Sequence, residues 1–254
     1  MKTLINHNEA NYTVDLHSPI DISVSINRMG IKAWGEPQLQ IQPVKQGGWI
    51  GDVLKGSAVN FNKIIFNPHA HTTHTECVGH ISAKKESLNE ELKDFFFMSQ
   101  LITVTPKKKN KDCVITRKVI GDLFINQHKT DALIIRTLPN DPTKQQKDYT
   151  KTNPPYFLKE AIDYLVSQGV RHLLVDIPSV DKEEDGGRLA AHKSFWRFPN
   201  NTRHGCTITE LIYVPSMIED GIYLLNLQFV PFENDASPSR PLLFKLNKID
   251  EKCS

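Results

Sequence analysis

Apolar and polar residues alternate with period two over much of the chain, and strand-like runs outnumber helix-like ones. Asn11-Tyr-Thr-Val-Asp15, Ile20-Asp-Ile-Ser-Val24 and Leu39-Gln-Ile-Gln-Pro43 alternate in this way and predict strands. Leu101–Thr105, Ala132–Arg136 and Leu173–Val175 are denser in Leu, Ile and Val and read as buried strands. The tail alternates again through Thr207–Ile212 and Tyr223–Phe229. Helical spacing is rarer. Phe157, Leu158, Ala161, Ile162, Leu165 and Val166 form one apolar stripe. The spacing predicts a helix from about Pro154 to Gln168, with Asn153 as its cap and Gly169 as its stop. A shorter helix is expected over Gly187–Trp196. Another should follow Ser87-Leu-Asn-Glu90, where the Ser87 hydroxyl can accept from the Glu90 N–H. Strands outnumbering helices, with a helix feeding a buried strand, predict a strand-rich α/β chain, and 254 residues suit one large domain or two small ones.

Composition narrows the function classes. The 254 residues carry 31 Lys and Arg against 29 Asp and Glu, a net charge of +2, which argues against a surface dedicated to nucleic acid or anionic lipid. Lys107, Lys108, Lys109 and Lys111 cluster, and in a chain this close to neutral they read as a solvated hairpin tip. No apolar run approaches the roughly 18 residues of a membrane span, and the N-terminus lacks a signal-peptide core, so a cytoplasmic location is expected. Cys77, Cys113, Cys206 and Cys253 form no Cys-x-x-Cys pair and are expected as free thiols. No glycine-rich nucleotide loop and no Gly-x-Ser-x-Gly elbow is present.

Histidine is the residue that stands out. His69, His71, His74 and His80 fall within Asn67-Pro-His-Ala-His-Thr-Thr-His-Thr-Glu-Cys-Val-Gly-His80. In a strand, residues i and i+2 share a face about 7 Å apart, so His74 and Glu76 project together. An imidazole and a carboxylate so placed can close on a divalent metal. His80 lies beyond Gly79, where the chain can bend, and suits a third ligand or a general acid or base. His69 and His71 face away from His74 in a regular strand. The remaining ligands must come from elsewhere: His192, His204 and Glu210 are candidates, and Glu210 is a carboxylate in an otherwise apolar strand that needs a partner if buried. Trp34, Trp49 and Phe66 could line a pocket, although such residues more often belong to a core.

These residues resemble the Putative cyclase family, which includes bacterial kynurenine formamidases and isatin hydrolases. Its pattern His-x-Gly-Thr-His-x-Asp-x-Pro-x-His meets Thr73-His74-x-Glu76-x-x-x-His80 here. Its second signature, Asp-Thr-Pro-Ser-Val-Asp followed by a His and a Glu, resembles Asp176-Ile-Pro-Ser-Val-Asp181 with His192 and Glu210 after it. Asp15-Leu-His-Ser-Pro19 and Ser237–Leu243 resemble its first and last strands. The resemblance implies a single-domain α/β chain over residues 1–254, a β/β/α swivelling-type fold with a central β-barrel-like layer and few helices, in a homo-oligomer. It implies one or two divalent ions, zinc or manganese, held by His74, Glu76, His192 and Glu210, with His80 catalytic and His71 and His204 as possible additions. It implies a small-molecule substrate and hydrolysis of an amide, as in the conversion of N-formylkynurenine to kynurenine and formate in tryptophan catabolism. An isatin-like or lactone substrate is the alternative, or a non-catalytic relative that binds a metal or small molecule. The family's first His falls on Ala70. Strand alternation aims residue 70 at the site, so one cation position is expected to be weak.

Overall fold

The computed structural model describes residues 1–249. Ten strands build its main sheet: β1 (Lys2–His7), β2 (Ala10–Asp15), β3 (His74–Glu76), β4 (Phe96–Val104), β5 (Ala132–Thr137), β6 (His172–Val175), β7 (Thr207–Glu210), β8 (Gly221–Asn226), β9 (Ala236–Pro238) and β10 (Leu242–Lys248). Their spatial order is β1-β2-β10-β8-β4-β5-β6-β7-β3-β9, with Ile20–Asp21 added beside β10. Strands β4 to β7 run parallel, and the other pairings are antiparallel.

Every residue of β5, β6 and β7 is buried, which is what continuous apolar runs in a doubly covered parallel layer require. Alternate residues divide between two cores. Leu133, Ile135, Leu173 and Val175 pack under helices α1 (Lys159–Ser167) and α2 (Ala190–Trp196), against Ile162, Leu165, Ala191 and Phe195. Ile134 and Leu174 face the other way, with Leu101, Leu225 and Leu243. The architecture is therefore mixed α/β, mostly sheet with few helices. The barrel-like closure expected from the family resemblance is not formed among the described residues, because β1 and β9 end the sheet as separate edges.

Several boundaries differ from the expectation, each for a local reason. The long helix starts at Lys159 and not at Pro154. Tyr156 and Phe157 pair in parallel with Val114 and Ile115, and the Leu158 amide donates to the Ile115 carbonyl. Asn153 does not cap it; its side chain reaches the Lys111 carbonyl and Asp112. Strand β7 stops at Glu210, since Leu211 turns into the left-handed region at φ 58°. Ser87 caps Leu88–Glu91 by accepting from the Asn89 amide instead of Glu90. The lysine run does form a hairpin, with Lys107–Lys109 exposed. Cys77, Cys113 and Cys206 are free, and Cys253 lies outside the described residues. No helix among the described residues is long and apolar enough to cross a membrane.

Candidate metal centre

Three short strands bring the first half of the cluster together. β3 lies between β7 and β9, and its register places His74 directly opposite Glu210. Opposed residues of an antiparallel pair share a face, and His74 Nε2 lies 3.5 Å from Glu210 Oε2. Glu76, two residues on, shares that face. Both ends are held. His74 Nδ1 faces the Thr72 carbonyl at 3.0 Å, and Glu210 Oε1 accepts the Val180 amide at 2.9 Å. A proton on Nδ1 leaves His74 Nε2 with its lone pair toward the centre.

The other half comes from turns and a helix. Residues 68–71 form one helical turn in place of the expected strand. Pro68 opens it, and the Asn67 side chain accepts from the His69 amide at 3.0 Å. That turn swings His69 inward, so that its Nδ1 lies 3.3 Å from Glu76 Oε2 and its ring 4.9 Å from that of His74. A tight turn over Val78–His80 then brings back His80, whose Nε2 is 3.8 Å from the same Glu76 oxygen. Only glycine fits at residue 79, since an added Cβ would meet the Glu86 carbonyl oxygen at 1.9 Å. His192 arrives on α2. The N-terminal residue Leu189 has no capping side chain, and Asp181 supplies the acceptor for the amides of Ala191 and His192 at 2.8 and 3.0 Å. Asp181 also accepts from His192 Nδ1 at 2.7 Å, which turns Nε2 to within 3.1 Å of Glu76 Oε1 and 3.9 Å of Glu210 Oε1.

His74, Glu76, His80, His192 and Glu210 are thus brought together. His71 and His204 are not. The turn that carries His69 inward points His71 away, to the Asn67 amide at 2.8 Å and the Pro37 carbonyl at 2.9 Å. His204 sits in an exposed loop, against Glu91 at 2.8 Å. The strand argument about Ala70 is corrected by the same turn. Residue 70 is buried within it, and the imidazole beside Glu76 comes from His69. Trp34 stands at the rim, and its indole N–H donates to the His69 carbonyl at 3.0 Å. Trp49 instead lies 6.1 Å from Phe61 in a hairpin remote from the cluster's lining. Sequence reasoning missed Asp235, whose Oδ2 lies 3.1 Å from both His69 Nε2 and His80 Nδ1. It comes from the residue before β9, and only the pairing of β9 with β3 brings it here.

The electrostatics show what the cluster lacks. Glu76 is fully buried. Burial alone would raise its pKa, but His80, His192 and His69 together hold it well below the usual carboxylate range. Burial likewise works against charge on His69 and His192. For His69 the hydrogen bond it donates to Asp235 and the charge of Glu76 beside it, and for His192 the hydrogen bonds it donates to Asp181 and Glu76, outweigh it and push both up to about 10. Protons therefore carry the positive charge that the carboxylates demand. His74 Nε2 and Glu76 Oε2 are buried without a hydrogen-bond partner. Donor atoms of His69, His74 and Glu76, and of Glu76, His80 and His192, lie within 4.8 Å of one another. A mixed imidazole and carboxylate set around two orphaned buried atoms fits a divalent cation. The cluster opens into a cavity of about 360 Å³ walled by Trp34, Asn67, Ser179, Lys182 and Leu189.

A family model described as Putative cyclase matches residues 20–182, which contain both motif regions up to Lys182. The chain belongs to the Putative cyclase family. Kynurenine formamidase from Bacillus cytotoxicus is 30% identical over 119 residues, 46% of this chain and 51% of that protein, so the chain spans about half the length of that curated relative. A protein described as a potential metal-dependent hydrolase with cyclase activity superposes with a TM-score of 0.64 at 19% identity, over 90% of this chain and 98% of that one. Isatin hydrolase A from Ralstonia solanacearum gives 0.61 at 14% identity, over 89% and 91%. An isatin hydrolase bound to the product analogue thioisatinate gives 0.59 at 15% identity, over 91% and 93%. At these identities the cyclase-family chain shares a fold with those structures.

Proposed function

We propose that this cyclase-family chain is a metal-dependent hydrolase of an amide bond, arylformamidase-like, that releases formate from an N-formyl aromatic amine such as N-formylkynurenine. The observation that carries the reading is the buried pair of unpartnered atoms, His74 Nε2 and Glu76 Oε2, inside a ring of imidazoles and carboxylates. The partial match to a kynurenine formamidase supports the substrate class. His74, Glu76, His192 and Glu210 would hold the cation, zinc or manganese, with His69 in the position that Ala70 leaves. The bound cation would supply Lewis-acid polarisation of the carbonyl and a lowered pKa for water.

The protein's own residues do the rest. Asp181 fixes the Nδ1 proton of His192 and so turns Nε2 toward Glu76 and Glu210, where it would serve as a ligand, the carboxylate–histidine arrangement common behind metal ligands. The Val180 amide holds Glu210 in place. His80, at the exposed rim, presents Nε2 toward Glu76 and passes the proton that the departing amine needs. Trp34 and Leu189 give the cavity apolar wall for an aromatic ring. The same reading carries a swivelling-type frame, a cytoplasmic location and a homo-oligomer. Metal analysis of the purified protein, with turnover of N-formylkynurenine against isatin, is the test. Bound metal with formamide turnover is expected. Turnover of isatin alone would move the chain to the second reading, and metal without either activity would leave a binding protein.

A further inference from the structure

Asp235 belongs to neither sequence signature, and it lies 155 residues from His80, yet it touches two imidazoles of the centre. Its backbone is fixed by the sheet: the Cys77 amide donates to the Asp235 carbonyl at 3.0 Å, and the next residue, Ala236, pairs with Glu76. The rings of His69 and His80 lie 4.4 Å apart and only 30° from parallel, so a single oxygen reaches an N–H of each. Oδ2 takes His69 through Nε2 and His80 through Nδ1, both at 3.1 Å. The opposite nitrogens, His69 Nδ1 and His80 Nε2, then face Glu76 Oε2.

We infer that Asp235 is a positioning residue for the centre, one carboxylate that sets the ring orientation and tautomer of both His69 and His80. A carboxylate accepts only, so each ring must put a proton on the nitrogen facing Asp235. In the neutral ring the lone pair is then on the nitrogen facing Glu76. His69 thereby offers Nδ1 to a cation, and His80 offers Nε2 to a proton. Asp181 does the same for His192 alone. The arrangement is compact because one residue orders a prospective ligand and a prospective base together. It also explains why a half-buried aspartate is tolerated against the fully buried Glu76: the two rings lie between them.

The inference rests on the metal-dependent reading, and the experiment separates the two. Cobalt is titrated into metal-free wild type, Asp235→Ala, Asp235→Asn and Asp235→Glu, following the visible absorption of the bound ion, its stoichiometry and the melting of the metal-free proteins. Asp235→Ala and Asp235→Asn are expected to weaken cobalt by about 10- to 100-fold and to shift its absorption bands, the cost usual for losing an outer partner. Asp235→Glu is expected to restore most of both. Asp235→Asn keeps the volume, so it tests the idea even if the alanine variant folds poorly. Unchanged affinity and unchanged bands in Asp235→Asn would overturn the inference while leaving the metal centre intact. Loss of one whole cobalt per chain would overturn it differently, by making Asp235 itself a ligand. A wild type that takes up no cobalt would overturn the metal-centre reading, and the positioning role with it.

Discussion

The two halves of the centre are built on opposite principles. His74, Glu76 and Glu210 sit on strands in the middle of a paired sheet, where register fixes both the face and the partner of each side chain. His69, His80, His192 and Asp235 arrive from a helical turn, a tight turn, a seven-residue helix and a strand entry. Their aim depends on side-chain acceptors placed beside them: Asn67 under His69, Asp181 behind His192, and Asp235 behind His69 and His80. His74 and Glu76 are buried behind the cavity, which Glu210 lines together with His69, His80 and His192. A strand-borne floor carrying shared carboxylates, with imidazoles aimed at it from turns and a helix, suits a site that must hold a charge beside an open cavity.

Glu76 joins the halves, so its loss tests the comparison most severely. Its two oxygens face His192, His69 and His80. Glu76→Gln should lower metal affinity by more than the roughly 10- to 100-fold typical of an outer partner. It should also destabilise the metal-free protein by about 3–5 kcal/mol, because buried imidazolium rings lose their counter-charge. Metal content after dialysis and urea unfolding of the chelated protein are the measurements. Full metal content in the Glu76→Gln variant would break the idea that the halves share this carboxylate.

Two buried histidines sharpen the contrast between ligand and core. His192 faces Glu76, whereas His172 packs against the Phe97 ring at 4.1 Å and meets Thr207 at 2.9 Å. Burial pushes the His172 pKa down to about 3, so it stays neutral and serves the core. His192→Ala should remove most bound metal. His172→Ala should keep the metal and lose about 2–5 kcal/mol of stability, the usual cost of a large-to-small core change. Equal metal content in both variants would count against His192.

This contrast also shows what sequence could reach. His74 and Glu76 were legible because period two is a local property, and Glu210 because a carboxylate among Ile208, Leu211 and Ile212 demands a partner. Alternating and continuous apolar runs also located β2 and β4 to β8, but not β1. The turn over residues 68–71 was not legible: alternation was extended through Asn67-Pro68, a pair that instead starts a helical turn, and that choice misplaced His69 and Ala70. Asp235 was beyond reach because its contacts depend on which strand lies beside β3, a fact of topology.

The pH response of the metal-free protein tests whether protons hold the centre together. His69 and His192 have folded pKa values raised to about 10, above the unfolded value near 6.5. Their contribution is full below about pH 6.5 and is lost as pH rises toward 10. Glu76, Asp181 and Asp235 are shifted down, so their contribution is present above the ordinary carboxylate range near pH 4 and is lost as pH falls below it. Thermal melts of chelated protein should therefore show a maximum between about pH 4.5 and 6.5, falling on the alkaline side. Saturating metal should flatten that fall, since the cation replaces the protons. A metal-free protein equally stable at pH 6 and pH 9 would contradict the proton-held centre.

Ala70→His asks whether residue 70 or residue 69 belongs to the site. Ala70 is fully buried in its turn, so an imidazole there overpacks and should cost about 1–3 kcal/mol without adding a cation. A gain of one bound ion would restore the strand reading of this segment.

The smallest effect is expected at His204, the loop histidine that the sequence allowed into the site. Its ring meets Glu91 at 2.8 Å, and its side chain is 57% exposed. A contact between so exposed a ring and a carboxylate is worth only about 0–1 kcal/mol, because water competes for it and ordering the side chains costs entropy. Glu91 also accepts the Gly205 amide at 2.7 Å, so the loop keeps an anchor when the ring is removed. His204→Ala should leave metal affinity unchanged and shift the midpoint of urea unfolding only slightly. A marked drop in metal affinity would mean that this loop folds over the centre in solution, and the division between a strand floor and a turn-borne rim would then need a third part.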